Sequence, residues 1–299
     1  MKAVINTTDG PIIASADEPV PAPHEALVAV RAFALNRGEL ALLDSRTGGW
    51  RPGQDIAGVV VEQAADGTGP VAGTRVAALV EQAGWAERVA VPADRLAVLP
   101  DQVSMAQGAA LPLAGLTALR ALRLGGALLG RRVLITGASG GVGRFLVELA
   151  TLGGATVTAV AGRHTRDLAA LGASEVVAAT DQATGPYDLI VESVGGASLA
   201  EALRAAAPGA TVVLIGSSSG AKSPIDIYDF VGHEGTRIVS FLSYAHPDPP
   251  GADLEVLVTF TAADRLHPTP GLVEDWSKLP AALAALRERR ISGKAVLTL

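Results

Sequence analysis

Val133-Leu134-Ile135-Thr136-Gly137-Ala138-Ser139-Gly140-Gly141-Val142-Gly143 is the stretch on which the reading of this 299-residue chain turns. A buried-type strand over 132–136 runs into a glycine cluster. Behind it, Val142, Phe145, Leu146 and Leu149 fall on one face of a helix over 142–152. Such a turn lets the backbone approach a pyrophosphate, and the helix N-terminus adds amide donors and a partial positive charge. The plain alternative is a tight strand-to-helix connection without a ligand. The βαβ context around the turn favours the nucleotide.

Outward from the turn, strands and helices alternate. Strands are expected at 156–161, 175–178, 188–192, 211–216 and 237–242, with helices at 165–171 and 198–206. This alternation predicts a parallel, doubly wound α/β sheet. Upstream, Ser104 caps a short helix ending at Gly108, and a second helix over 111–124 carries Pro112 in its first turn. The first hundred residues read differently. Alternating runs at 2–6, 26–33, 55–62, 74–80 and 85–91, separated by turn formers such as Asp9-Gly10-Pro11 and Asp66-Gly67, suggest a small barrel. The tail holds helices near 253–264 and 278–289 and a strand at 295–299.

Composition sets limits. The chain is 49% hydrophobic and 18% charged, has no cysteine and carries a formal charge of -6. At about 150 residues per domain, two domains are expected. Without cysteine there can be no disulfide, Cys-ligated zinc, iron–sulfur cluster or thiolate nucleophile. The acidic balance excludes a whole-protein basic footprint for nucleic acid. Mean hydropathy is +0.35, yet no apolar run approaches the roughly 20 residues of a membrane span. The amino terminus turns polar too soon for a signal-peptide core. A soluble, cytoplasmic protein is expected.

Three chemistries compete for the glycine-rich turn. Gly137-Ala138-Ser139-Gly140-Gly141 fits the G-x-S-x-G nucleophile elbow, which makes Ser139 a hydrolase candidate. Gly216-Ser217-Ser218-Ser219-Gly220 fits the same pattern, and a late base would have to be His233, His246 or His267, the last two preceding proline. A short-chain dehydrogenase needs a Tyr followed four residues later by Lys. The three tyrosines are followed at that offset by Val191, Gly232 and Asp248, so that reading fails.

The third reading covers the whole chain. Val20-Pro21-Ala22-Pro23, Leu35-Asn36, Asp55-Ile56-Ala57-Gly58-Val59-Val60, Gly73-Thr74-Arg75-Val76 and Gly84-Trp85-Ala86-Glu87 occur in that order. They are followed by Leu111-Pro112-Leu113-Ala114-Gly115-Leu116-Thr117-Ala118, the glycine-rich turn, Val191-Glu192-Ser193-Val194-Gly195-Gly196 and Ser292-Gly293-Lys294-Ala295-Val296-Leu297. Together these resemble the medium-chain dehydrogenase/reductase superfamily, in its zinc-independent quinone oxidoreductase and enoyl reductase-like branch. The resemblance implies a Rossmann sheet inserted in a GroES-like β-barrel catalytic domain. The domains would cover 1–110, 111–261 and, returning to the catalytic domain, 262–299.

Zinc-dependent members of that superfamily carry Cys and a Gly-His-Glu segment, where this chain reads Gly53-Gln54-Asp55. A metal-free member is therefore expected. The second strand ends Val160-Ala161-Gly162-Arg163-His164-Thr165-Arg166, with no acid for ribose hydroxyls and two guanidinium groups suited to a 2′-phosphate. NADPH is expected, with Arg163 and Arg166 at the phosphate; the alternative for both is a solvated helix start. The resemblance further implies coenzyme contacts at Thr117, Gly137, Ser139, Gly140, Gly141, Val142, Gly143, Gly162, Val194, Gly216, Ser217, Phe241, Leu242 and Lys294. It places Asn36 by the nicotinamide and makes Tyr244 the proton-donor candidate.

Glu39-Leu40-Ala41-Leu42 lacks the Tyr that many members carry after the Asn, so the proton could instead come from water. Trp50 and Trp85 are either substrate-slot aromatics or barrel core. The implied reaction is hydride transfer from NADPH to an enone, enoyl or quinone substrate, in polyketide or other secondary metabolism, by a homodimer joined near 237–242. A non-catalytic NADPH-binding sensor remains an alternative, as does, more remotely, the Ser139 hydrolase.

Overall fold

The computed structural model describes all 299 residues, Met1 to Leu299. The chain begins with β1 (Lys2–Thr7), β2 (Gly10–Ser15), β3 (Glu25–Leu35), α1 (Arg37–Ser45), β4 (Asp55–Glu62) and β5 (Arg75–Leu79). It continues through β6 (Arg88–Pro92), β7 (Leu96–Val98), α2 (Met105–Ala110), α3 (Pro112–Leu124), β8 (Arg132–Thr136) and α4 (Gly141–Leu152). Then come β9 (Thr156–Val160), β10 (Glu175–Val177), β11 (Tyr187–Glu192), α5 (Ala197–Arg204), β12 (Ala206–Leu214) and β13 (Arg237–Ser240). The last elements are α6 (Gly251–Ala262), β14 (Leu272–Asp275), α7 (Leu279–Arg287) and β15 (Ala295–Thr298). These elements form two compact units, Met1–Leu116 with His246–Leu299, and Thr117–Ala245.

The second unit contains six parallel strands in the order β10-β9-β8-β11-β12-β13. Val133, Leu134 and Ile135 on the central strand are fully buried, as the unbroken apolar run requires of a sheet covered on both faces. The order reverses between β8 and β11, so all strand carboxyl ends, with the glycine-rich turn after β8, open on one edge. Ser104 does cap α2, its hydroxyl accepting from the Gln107 amide at 3.2 Å.

One expected element is corrected. Residues 165–171 form hydrogen-bonded turns and no helix, with Leu168 N–H donating to Thr165 O and Leu171 N–H to Asp167 O. Only Leu168 of that stretch is fully buried, and Gly172 ends it at φ +105°. A segment so short and so exposed lacks the apolar face that would offset helix nucleation.

The first unit is built on a seven-stranded sheet ordered β14-β15-β3-β4-β5-β7, with β6 also paired to β3. All its pairings are antiparallel except β14 with β15. Val28, Val30, Phe33, Ile56, Val76, Trp85, Leu283 and Leu297 belong to one buried cluster. The hairpin strand β2 and helix α1 were not read from the sequence. Ile12 is half exposed, which breaks the strand alternation, and α1 buries only Glu39, Leu40 and Leu43.

The second unit is shorter than the expected 111–261, because α6 belongs to the first. Leu254 and Leu257 are fully buried, and a Cβ on Gly251 would run into the Asp94 carbonyl. No helix is long and apolar enough to cross a membrane.

Candidate coenzyme and catalytic sites

In the second unit the glycine-rich turn has no room for side chains. Gly137 takes φ +62°, and a Cβ there would meet the Ser193 hydroxyl at 2.5 Å. A Cβ on Gly143 would collide with the Gly137 carbonyl and with the Ala138 backbone. Gly143 is thus fixed by close backbone approach, and Gly137 by its positive φ and the Ser193 side chain. Gly140 caps α4 in an extended conformation, and the first amides of α4, from Gly141, Val142 and Gly143, have no intrahelical acceptor. Ser139 lies in the turn itself. An anion placed there meets backbone donors and the positive end of the helix dipole.

A buried carboxylate organises the neighbouring turn. Glu192, fully buried at the end of β11, accepts from Thr136 Oγ1 at 3.0 Å, from the Val194 amide at 3.0 Å, from the Gly195 amide at 2.9 Å and from Ser198 Oγ at 3.1 Å. Ser193 donates two further bonds of 2.9 Å to Thr136, from its amide to Oγ1 and from its hydroxyl to the carbonyl. The network ties the turn after β11 to the turn after β8. Gly195, at φ +73°, backs onto the Ser217 hydroxyl, and the Ser218 amide reaches Ser193 O at 3.0 Å. Gly216 and Ser217 are exposed at the end of this group.

Thr117 Oγ1 shares a 2.6 Å hydrogen bond with Ser243 Oγ. Phe241 is buried, with its amide on Leu214 O, while Leu242 is exposed. Tyr244 is 79% exposed, and no bond holds its hydroxyl. Gly162, Arg163 and Arg166 all stand exposed in the loop after β9, with His164 between the two arginines at φ +54°. The acid of that loop, Asp167, lies 3.6 Å from Arg144 of α4. Of the late histidines, His233 in this unit precedes β13, at the sheet edge opposite Ser139, with its Nδ1 held 2.6 Å from Ala206 O.

The first unit holds a second polar cluster, centred on Asn36. Lys294 Nζ donates to Asn36 Oδ1 at 2.5 Å, to Asp55 Oδ2 at 2.8 Å and to Leu35 O at 3.2 Å. Asn36 Nδ2 donates to Asp55 Oδ2 at 3.0 Å, and Asp55 Oδ1 accepts from the Leu113 amide at 2.7 Å. Glu39, fully buried in α1, accepts from the Asn36 amide at 2.8 Å and from the Gln54 amide at 2.9 Å. Burial and the nearby Asp55 carboxylate push the Glu39 carboxyl up to about 8. The local sequence makes this possible: Gly53, at φ +114°, packs its Cα on the Trp85 backbone and so aims Gln54 and Asp55 inward.

A model of the alcohol dehydrogenase GroES-like domain matches residues 22–101, and a model of the zinc-binding dehydrogenase family matches residues 141–258. YhfP of Bacillus subtilis (strain 168), whose name assigns it provisionally to the quinone oxidoreductases, is 30% identical over 83% of this chain and 80% of its own length. The chain belongs to the medium-chain dehydrogenase/reductase superfamily. Within it, the quinone oxidoreductase and enoyl reductase-like branch is the one its relatives occupy.

The spectinabilin polyketide synthase system protein NorB of Streptomyces orinoci is 35% identical over 93% of this chain. The chain spans only 13% of that protein's length. The solved structure of mycobacterial Rv1454c complexed with NADPH superposes with a TM-score of 0.87 at 21% identity, covering 100% of both chains. That likeness shows the medium-chain dehydrogenase/reductase fold.

Several residues of this medium-chain dehydrogenase/reductase site went unread in the sequence. Glu192, Ser243, Asp55 and Glu39 each carry part of it. A charged residue closing the apolar run Leu189-Ile190-Val191 was the available signal for Glu192. Trp85 is fully buried and stacks on Phe33 at 5.6 Å, so it belongs to the core and not to a substrate slot. Trp50 is half-buried, with its indole N–H on Gln82 at 2.9 Å.

Proposed function

We propose that this protein is an NADPH-dependent, metal-free reductase that delivers hydride to an electron-poor carbon of an α,β-unsaturated carbonyl or a quinone. The observation that carries the reading is the turn at Gly137 and Gly143, where side chains are sterically excluded beneath the open amides of α4. When bound, the coenzyme supplies the hydride, and the protein supplies position and charge stabilisation. The turn amides hold the pyrophosphate. Arg163 and Arg166, both exposed, take the 2′-phosphate, while Asp167 of the same loop is drawn toward Arg144. Charge gathering on the substrate oxygen is met by Asn36, and the proton comes from the exposed Tyr244 hydroxyl or from solvent.

A catalytic zinc does not suit these residues. Both Asp55 oxygens are already engaged by Lys294, Asn36 and Leu113, Gln54 replaces the expected histidine, and no three His, Asp or Glu side chains converge. The likeness to NorB supports an enoyl-type substrate of polyketide chemistry, and that to YhfP supports quinones.

A second copy of the chain is the proposed partner. Strand β13 is an open sheet edge with Ile238 40% exposed, and Tyr228 and Val231 just upstream are 80% and 70% exposed. An exposed apolar edge of this kind is suited to self-complementary pairing.

Incubation with NADPH and a panel of enones and quinones, followed at 340 nm, tests the reaction. Turnover on one class is expected, and none on either overturns the reading. Arg163→Ala with Arg166→Ala should weaken NADPH binding by about tenfold or more while leaving NADH unchanged, as loss of charge-assisted phosphate bonds predicts. The absence of a Tyr after Asn36, in Glu39-Leu40-Ala41-Leu42, favours a second reading, a coenzyme-binding sensor. Tight NADPH binding without hydride transfer to any acceptor would select it.

A further inference from the structure

We propose that Asp55 and Lys294 are positioning residues that fix which end of the Asn36 carboxamide carries its open proton, so that Asn36 acts as a hydrogen-bond donor to the substrate oxygen that gains charge. The inference rests on the reductase reading and adds to it the direction and the mechanism of the Asn36 contact.

The two ends of an asparagine amide have nearly the same shape but opposite hydrogen-bonding sense. What fixes their orientation here is the sign of the neighbours. Asn36 Oδ1 faces the Lys294 ammonium, and Asn36 Nδ2 faces the Asp55 carboxylate. Reversal would put an NH2 group against an ammonium and a carbonyl oxygen against a carboxylate, both out of water, where unpaired polar groups are costly. Glu39 holds the backbone on both sides of the arrangement through the Asn36 and Gln54 amides.

The count of donors then singles out one group. The Lys294 ammonium has three protons and three acceptors, Leu35 O, Asn36 Oδ1 and Asp55 Oδ2. The residue is only 5% exposed, and all three of its protons are engaged within the cluster. Asp55 is fully buried and accepts from three donors. Asn36, at 9%, is the most accessible member, and one of its two amide protons remains unengaged. An amide so held is a preorganised donor, which needs no rearrangement when negative charge develops before it.

Asn6 and Asn36 are the two asparagines in the chain, so selective 15N-asparagine labelling gives two side-chain NH2 signals. Asn6, whose Nδ2 bonds Leu43 O and Arg46 O, serves as the internal reference. In the wild type the Asn36 amide protons should be widely split, one bonded and one open, without any coenzyme present. The charge-free pair Asp55→Leu with Lys294→Met leaves no orphaned charge and should collapse that splitting while Asn6 stays unchanged. The pair Asp55→Asn with Lys294→Gln, which keeps an acceptor and a donor in place, should restore it, beside a third NH2 signal from the amide introduced at position 55.

In turnover, Asn36→Asp preserves shape but removes the donor, and should lower kcat roughly 10²-fold, the size of a lost oxyanion donor. The charge-free pair should lower kcat rather than raise KM, and the polar pair should recover part of the loss. An Asn36 signal that is unchanged in the charge-free pair overturns the positioning. Wild-type turnover by Asn36→Asp overturns the donor role, whatever the folding of the double variants. Absence of turnover by the wild type on every acceptor would instead remove the reductase reading, and the labelling result would still stand or fall alone.

Discussion

Glu39 is a carboxyl group placed where charge is expensive. Burial and Asp55 raise its pKa to about 8, and bonds from Asn36 and Gln54 together with Lys294 pull the other way without prevailing. An unfolded glutamate titrates near 4.5, so between these two values the native state binds the extra proton. Its contribution to stability is full below about pH 4.5 and is lost as the pH rises through about 8. Urea unfolding at intervals from pH 5 to 9 should show the wild type weakening up to about pH 8 and levelling beyond, a slope that Glu39→Gln should lack. Nothing in the local sequence announced this residue. An acid in a helix first turn reads as a solvated cap, and only the return of the Gly53-Gln54 backbone encloses it. Gly143 was legible by contrast, because the atoms that exclude a Cβ there belong to Gly137 and Ala138 of the same turn.

At the scale of elements, the link between β8 and β11 is the point of sensitivity. Glu192 satisfies two amides and two hydroxyls with one carboxylate, and several of these donors have no other acceptor in reach. Glu192→Gln turns one acceptor oxygen into a donor facing an N–H or hydroxyl. We expect a loss of about 2–4 kcal/mol, in the range of a broken buried charge-assisted network. Thermal unfolding of the chain would register it, and binding of 2′,5′-ADP would weaken in parallel as the turns separate. The strands of this sheet were readable because parallel strands covered on both faces are continuous apolar runs. The stretch 165–171 was misread because periodicity was weighed without burial, and its Arg, His and Asp residues stay in water. Helix α1 was missed for the opposite reason: its buried face includes an acid, which hydropathy counts as polar.

At the scale of the molecule, the two units differ in how the chain enters them. The second is continuous, Thr117–Ala245, whereas the first is assembled from both ends of the sequence. The reversal from short alternating strands to strand–helix alternation exposed this division, but placed its return boundary late, because an apolar helix such as α6 carries no mark of which sheet it covers. The open β13 edge bears on assembly. Ile238→Lys should convert a dimer to a monomer in sedimentation experiments while leaving the coenzyme turn intact, since Ile238 lies on the edge strand and not at its carboxyl-terminal loop.

The bond between Lys294 and Asp55 spans 239 positions of sequence. A ribosome therefore completes the second unit, core and coenzyme turn included, before the ammonium that neutralises Asp55 has been synthesised. Until then Asp55 lacks the Lys294 partner that it meets in the folded unit, and burying its charge unpaired would be unfavourable. The ion pair proposed to orient Asn36 thus joins segments made before and after the whole of the second unit.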